Sequence, residues 1–135
     1  MASEDSTDAI RPEDDKEERE FTEQERGLMA ELREKHGRVR AIRVQGHGLL
    51  IFGKPEGKGV ARKAWKKYKA DRDRPGADVQ ALEENFQRTC LVHPKGAGVI
   101  DAVLDDYPGL DTAFSYTIAQ IFGGDVDQVQ ILGKD

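Results

Sequence analysis

Two proline-containing stretches divide the second half of the chain, Cys90-Leu91-Val92-His93-Pro94 and Tyr107-Pro108-Gly109-Leu110. Proline has no backbone N–H and disfavours the helical conformation in the residue before it. Three short pieces result, and each carries apolar residues at the spacing of an amphipathic helix. They are Val79, Leu82, Phe86, Leu91 and Val92, then Val99, Ile100, Val103, Leu104 and Tyr107, then Leu110, Phe114, Ile118, Ile121 and Phe122. Because helices this short are marginal alone, we expect them to pack together as the core.

The charge of the chain is unevenly distributed. Of its 135 residues 35% are charged and the formal net charge is −5, yet residues 1–20 alone hold nine acidic and three basic side chains. A segment with so little to bury does not recover the entropy lost on ordering. We predict a disordered acidic arm over residues 1–20. It is either a solvated tail without a role or an interaction arm that covers a basic surface.

Composition argues against several classes of protein. A single cysteine excludes an internal disulfide framework, and the histidines at positions 36, 47 and 93 do not have metal-ligand spacing. No apolar run approaches the roughly 20 residues that span a bilayer. The acidic N-terminus is the reverse of a secretory signal. We therefore expect a cytoplasmic protein without metal or cofactor.

A helix and a hairpin are predicted before the first glycine-rich loop. Thr22 and Glu25 have the spacing of a capping box, and Gly37 stands where the C-cap of a helix over about 22–36 belongs. The apolar stripe of this helix is narrow, which predicts loose docking or mobility. β-Branched and apolar residues over 38–44 and 49–52 predict a β-hairpin within about 38–53. The stripe consists of Leu28, Met29 and Leu32, and the first strand carries Arg38, Arg40 and Arg43, which disfavour edge pairing.

The most asymmetric helix is predicted from about 59 to 70, within a basic segment over 58–74. One stripe holds Val60, Ala61, Ala64, Trp65 and Tyr68, and the candidate basic surface comprises Lys58, Arg62, Lys63, Lys66, Lys67 and Lys69. Lysines beside aromatic residues are typical of a nucleic-acid face. They equally suit a solvated helix whose aromatic side chains pack inward beneath the lysine stems. A third use is docking of an acidic partner, including the chain's own N-terminal arm.

Three sequence patterns suggest a catalytic or nucleotide-binding site, and each lacks the residue spacing or the surroundings that such a site requires. The loop over 53–59 has three glycines and two lysines, but it lacks the four-residue separation and the hydroxyl of a phosphate-binding loop. Cys90 and His93 are close in sequence, yet the cysteine lies among apolar residues and resembles a buried core residue. Asp105 and Asp106 are adjacent on a helix and do not converge. We expect no enzymatic activity.

These patterns together predict a mainly α fold with a small β-hairpin (α+β). The expected architecture is a bundle of four to five short helices with the hairpin packed on one side. One domain is predicted over 21–123, after the acidic arm. Residues 124–135 follow the pair Gly123-Gly124 as a detachable tail, which either forms a short strand or presents apolar residues to a partner.

The order of these features resembles the tail assembly chaperones of tailed bacteriophages over roughly residues 48 to 123. The features are an apolar strand ending in Ile51-Phe52, the pair Lys54-Pro55, a charged helix with Trp65 and Tyr68, and the two proline-containing stretches quoted above. The acidic arm and first helix lie outside the likeness, and the charged helix has more lysines than the family pattern. The matching Phe52, Pro55, Cys90, Pro94, Tyr107 and Pro108 are most simply scaffold residues.

The resemblance implies a non-enzymatic, often oligomeric protein of the host-cell cytoplasm. Such proteins coat the tape-measure protein and recruit tail-tube subunits during tail assembly. Because aromatic residues dominate interface energies, the candidate partner-binding residues are Trp65, Tyr68, Phe114 and Tyr116. Core packing is the alternative role for each. Two alternatives at the level of the protein are a virion component for tail completion or head–tail joining, and a nucleic-acid-binding module, which the overall acidity disfavours.

Overall fold

The structure is a computed structural model that describes residues 21–124. The predicted acidic arm over 1–20 lies outside the described residues, as does the predicted tail apart from Gly124. In chain order the elements are α1 (Glu23–His36), β1 (Val39–Val44), β2 (Gly48–Gly53), α2 (Val60–Arg72), α3 (Val79–Cys90), β3 (Leu91–His93), α4 (Val99–Asp106) and α5 (Leu110–Ala119). A π-helical turn over Gln120–Gly124 continues α5. The predicted mainly α fold with a small antiparallel sheet is confirmed.

Local sequence signals set the helix ends. Thr22 and Glu25 form the predicted capping box, with N–O distances of 2.9 and 3.1 Å between each backbone nitrogen and the other side chain. Gly37 follows α1 with a φ of 74°, which an L side chain rarely adopts. The Asp78 carboxylate caps α3 by accepting from the Ala81 amide at 3.1 Å.

The two prolines separate elements as predicted, but the segment before Pro94 is a strand. Leu91 and Val92 were expected to extend the helical stripe, whereas the structure places them in β3 beside β2. The Pro94 ring disfavours helical backbone at His93, and the extended chain satisfies backbone groups on the second edge of β2. The His93–Pro94 peptide is cis.

Strand β2 is the centre of a three-stranded antiparallel sheet with the order β1-β2-β3. Its pairing with β1 runs from Val39 opposite Gly53 to Val44 opposite Gly48. Its pairing with β3 is irregular between Ile51 and Phe52. Every β2 residue after Gly48 is buried, which explains why its sequence is a continuous apolar run instead of an alternating one.

Both faces of the sheet are covered. Leu49 and Ile51 belong to a cluster with Met29 and Leu32 of α1. Leu50 and Phe52 point the other way, into the main core formed with the remaining helices. The bundle thus packs on one side of the hairpin as predicted, and α1 covers the opposite side. The expectation that α1 would be loosely docked is wrong, because Met29 and Leu32 of its stripe are buried and Leu28 is half-buried against the same cluster.

The main core is built from most of the predicted stripe residues. Phe52 contacts Phe114 across the sheet–helix interface with ring centroids 5.1 Å apart. Two predicted stripe residues are exposed instead. Val79 is the first residue of α3, and Tyr107 follows the end of α4. The Tyr107 hydroxyl donates to the Gln45 carbonyl in the hairpin loop at 3.3 Å. The buried members of this core are Val44, Leu50, Phe52, Phe86, Cys90, Ile100, Val103, Phe114, Ile118 and Ile121.

A buried amide joins α3 to α5. Gln87 is fully buried, and its Nε2 atom lies 2.8 Å from Asp111 Oδ1 and 3.1 Å from Ser115 Oγ. Hydrogen bonding by Nε2 offsets part of the cost of burying the amide, whereas Oε1 is buried without a hydrogen-bond partner among the described residues. This polar contact holds α5 against the helix that forms one wall of the groove described below.

Because β2 is buried on both faces, shortening the side chain of either of two neighbouring residues should lower the free energy of unfolding. Leu50→Ala and Ile51→Ala should each lower the free energy of unfolding by about 2–5 kcal/mol, measured by urea denaturation, since each leaves a cavity in a different core. Ile42→Ala, on the half-buried edge strand, should cost less. A loss below about 0.5 kcal/mol for Ile51→Ala alone would show that α1 does not cover this face.

The stability that the Glu25 carboxylate of α1 contributes should be lost at acid pH. Hydrogen bonds from Arg43, and then from the Thr22 amide, lower the pKa of Glu25 from 4.5 to about 2. A depressed carboxyl pKa contributes stability above about pH 4.5 that is lost as pH falls towards 2. Glu25→Gln should therefore lower Tm at pH 7, and its deficit relative to the unmodified chain should shrink between pH 4.5 and 2 in thermal melts. A deficit that is constant over this range would contradict the role assigned to the carboxylate.

Candidate protein-binding surface

Helix α2 presents a charged outer face. It follows a loop in which Gly57 and Gly59 have positive φ angles, and Gly59 is the N-cap. The six residues of the candidate basic surface are all exposed. Within residues 21–124, Lys58, Arg62, Lys63 and Lys66 have no ion-pair partner. This face therefore retains most of its positive charge.

The aromatic side chains of α2 join an aromatic stack formed by Trp65, Tyr68, Phe86 and Phe122. The Trp65 and Phe122 rings are 5.0 Å apart with an interplanar angle of 20°. Tyr68 and Phe86 are nearly parallel at 4.4 Å. Phe86 and Phe122 complete the stack at 5.4 Å. Trp65 and Tyr68 are half-buried, so they attach α2 to the core and still present part of their surface to solvent.

An open groove, the α2–α3 groove, lies between the two helices and has a volume of about 210 Å³. Apolar and aromatic surface comes from Ala64, Tyr68, Leu82 and Phe86, and polar groups from Lys67, Asp71, Asn85 and Thr89. A second cavity of about 370 Å³ at the α2–α3 turn shares Asp71 and Leu82 with it and adds Ala81. The two form one continuous surface along the helical hairpin.

Charged groups around the groove are partly paired. Lys67 Nζ lies 2.7 Å from Asp71 Oδ2, and this hydrogen bond is the main cause of the lowered Asp71 pKa. Arg72 lies over the Tyr68 ring, 5.9 Å from its centroid, and Lys69 lies 6.0 Å from the Trp65 ring. Partial burial raises the pKa of Tyr68, so the phenol is neutral at physiological pH. The groove is therefore an apolar floor with one lysine–aspartate pair at its border, and Lys69 and Arg72 lie over the neighbouring aromatic rings.

The other two predicted anchors have opposite settings. Phe114 is 0% exposed and belongs to the main core, so it is not available at the surface in this structure. Tyr116 is 66% exposed on α5. The offset of Tyr116 from the Phe114–Ile118 stripe was the sequence signal for this difference. The sequence reasoning missed Leu82, Asn85 and Thr89 as groove residues, because Leu82 has the same helical spacing as a core residue.

A larger cavity of about 510 Å³ lies between the end of α1, β3 and the start of α4. Its lining includes His36, Arg88 and Lys95. The Arg88 guanidinium is already engaged, 2.6 Å from Asp101 Oδ1 and 2.6 Å from Asn85 Oδ1. The His36 Nδ1 atom lies 2.8 Å from the Lys54 carbonyl. This cavity has a larger polar share in its lining than the α2–α3 groove.

The structure also shows the surroundings of the cysteine that the sequence offered as a nucleophile, and whether acidic, histidine or cysteine side chains come together. Cys90 is buried, and desolvation raises its pKa to about 12, so the thiol is protonated at physiological pH. The described part of the chain contains no group of three or more His, Cys, Asp or Glu side chains that could hold a metal ion. Over the same residues, no helix has the length and apolarity that crossing a membrane requires.

A comparison of the chain with protein-family models, curated proteins and solved structures gave no match.

The settings of Trp65 and Tyr116 predict different effects on stability. Trp65→Ala removes contacts with three other rings and should lower the free energy of unfolding by about 2 kcal/mol or more in urea denaturation. Tyr116→Ala removes an exposed side chain and should change it by less than about 0.5 kcal/mol. Equal losses for the two variants would contradict the division between a stacked and a solvent-facing aromatic residue.

Proposed function

We propose that this protein is a non-enzymatic assembly chaperone that holds a segment of a protein partner in the α2–α3 groove. The observation that carries the proposal is the open apolar floor of this groove, which includes the half-buried Tyr68 ring, has the Lys67–Asp71 pair at its border and lies beside the exposed basic face of α2. A groove of this composition suits an amphipathic helix, whose apolar stripe replaces water on the floor. Exposed cations at the border favour a segment with acidic flanks.

The order of features shared with phage tail assembly chaperones supports a tape-measure protein as the partner. A long helical tape measure would repeat apolar stripes that the groove could hold during assembly. Tyr116 lies on α5, a different element from the groove, and is our candidate contact for a tail-tube subunit. The action belongs to the cytoplasm of the host cell, and self-association into a homo-oligomer is part of the same proposal.

Blocking the groove should abolish this interaction. Ala81 is exposed and lines the second cavity at the α2–α3 turn, which shares Asp71 and Leu82 with the groove, so Ala81→Trp obstructs the turn end of this surface without burying a new group in the core. The chain would be co-expressed with the tape-measure protein of the same genome and recovered by an affinity tag. We expect Ala81→Trp to reduce capture at least about tenfold, a loss of about 1.4 kcal/mol in binding free energy.

Ala102→Trp is the matched control, because Ala102 is an exposed alanine on α4 outside the groove. It should bind like the unmodified chain, with both variants showing unchanged Tm. Equal capture by Ala81→Trp and Ala102→Trp would overturn the groove as the binding site. No capture of the tape-measure protein by the unmodified chain would overturn the partner.

Two further measurements separate the alternatives. Binding of DNA or RNA that weakens steeply with salt, and is lost in Lys63→Glu and Lys66→Glu, would support the nucleic-acid module instead, since released counterions dominate such binding. A virion component should be present in purified particles, whereas an assembly chaperone should be absent from them.

A further inference from the structure

We propose that residues 125–135 of the same chain occupy the α2–α3 groove when no partner is bound. The C-terminal tail would then be an intramolecular competitor for the partner segment. The regulatory role rests on the proposed function, since both segments use one groove, but docking of the tail itself is a property of the isolated chain.

The first argument is where the described chain ends. The Phe122 ring stacks on Trp65 at 5.0 Å and contacts Phe86 at 5.4 Å. Phe86 lines the groove itself, and Trp65 is the sequence neighbour of the groove residue Ala64. Gly123 follows with a φ of 92°, a left-handed conformation that redirects the chain after α5. The tail therefore begins three residues after Phe122, whose ring contacts the groove residue Phe86.

The second argument is the length and apolar pattern of the tail. Val126, Val129 and Leu132 recur every three residues. In a helix they would span about 9 Å, and the α2 wall from Ala64 to Asp71 spans about 10.5 Å at the same rise per residue. Eleven residues are thus enough to place three apolar side chains along the floor. The residues between them are mostly polar and would face solvent.

The third argument is charge. The tail carries Asp125, Asp127 and Asp135 against Lys134. The exposed side of α2 carries Arg62, Lys63, Lys66, Lys67 and Lys69. Lys67 lines the groove and is paired with Asp71, and the other four cations lie beside it on the same helix. Opposite charges beside an apolar contact favour docking and fix its direction. The acidic arm over 1–20 has complementary charge too, but it has few large apolar residues to fill the groove, so we favour the C-terminal tail.

Disulfide trapping tests the contact in the full-length chain. Ala81→Cys would be combined in turn with Gln128→Cys, Gln130→Cys and Gly133→Cys, and oxidised with a glutathione buffer. These three tail positions cover different registers, because a disulfide requires Cα atoms within about 7 Å. The native Cys90 will not compete, since it is buried with a raised pKa. The matched controls use Ala102→Cys with the same tail cysteines.

We expect at least one Ala81 pair to form an intrachain disulfide at least about tenfold faster than its Ala102 control, as proximity raises the effective concentration. If each of the three Ala81 pairs forms its disulfide no faster than its Ala102 control, the proposal is overturned. A disulfide found only between chains, with a rate that rises with protein concentration, would also overturn it and assign the groove to the tail of a second copy.

Trp65 provides a second readout because it is the only tryptophan. Replacing Val126, Val129 and Leu132 together by serine should increase quenching of its fluorescence by acrylamide, whereas Gln128→Ser with Gln130→Ser should not. The same serine variant should bind the tape-measure segment about threefold to tenfold more tightly, because the competing tail is removed. Unchanged quenching and affinity would overturn the proposal.

The two proposals can fail separately. If no tail disulfide forms while Ala81→Trp still abolishes capture of the tape-measure protein, tail docking is wrong and the proposed function stands. If the tail is trapped in the groove but Ala81→Trp leaves capture unchanged, the tail contact stands and the proposed binding site is wrong.

Discussion

The fold depends on the burial of β2 from both sides. Its alternating side chains enter two separate cores, one closed by α1 and the other by the helical bundle. Loss of either layer would leave a row of large apolar side chains in water, at roughly 25 cal/mol for each Å² exposed. Strands β1 and β3 satisfy the backbone groups on the two edges of β2. The central strand therefore determines where every other element must lie.

The α2–α3 hairpin is attached to this body in a different way. The buried residues of α3 anchor it to the core, whereas α2 has no buried residue and is attached largely through half-buried aromatic rings. Such packing leaves a groove between the helices instead of a closed interface. The proposed binding surface thus includes the one helix of the described residues 21–124 that has no buried residue. The amide contact of Gln87 with α5 keeps the α3 wall in place.

The groove and the end of α5 are connected through Phe122. Its ring links the helix from which the tail leaves to both walls of the hairpin. A change in tail position and a change in groove occupancy would therefore both alter the contacts of the same aromatic stack. Under the two proposals, partner binding and tail docking would both act on this stack, and its contacts are short enough that no long-range coupling is needed.

The sequence by itself determined the class of elements and most of their ends, because capping residues, glycines and prolines act on neighbouring backbone. The Thr22–Glu25 box, the hairpin, the five helices and the inert Cys90 all follow from such local patterns. The tertiary structure alone decided that Leu91 and Val92 form a strand, that α1 is docked, and that Trp65 and Tyr68 are half-buried instead of fully inside the core. Helical spacing gives a side chain's direction around its own axis, but only packing between distant segments decides whether that direction meets protein or water.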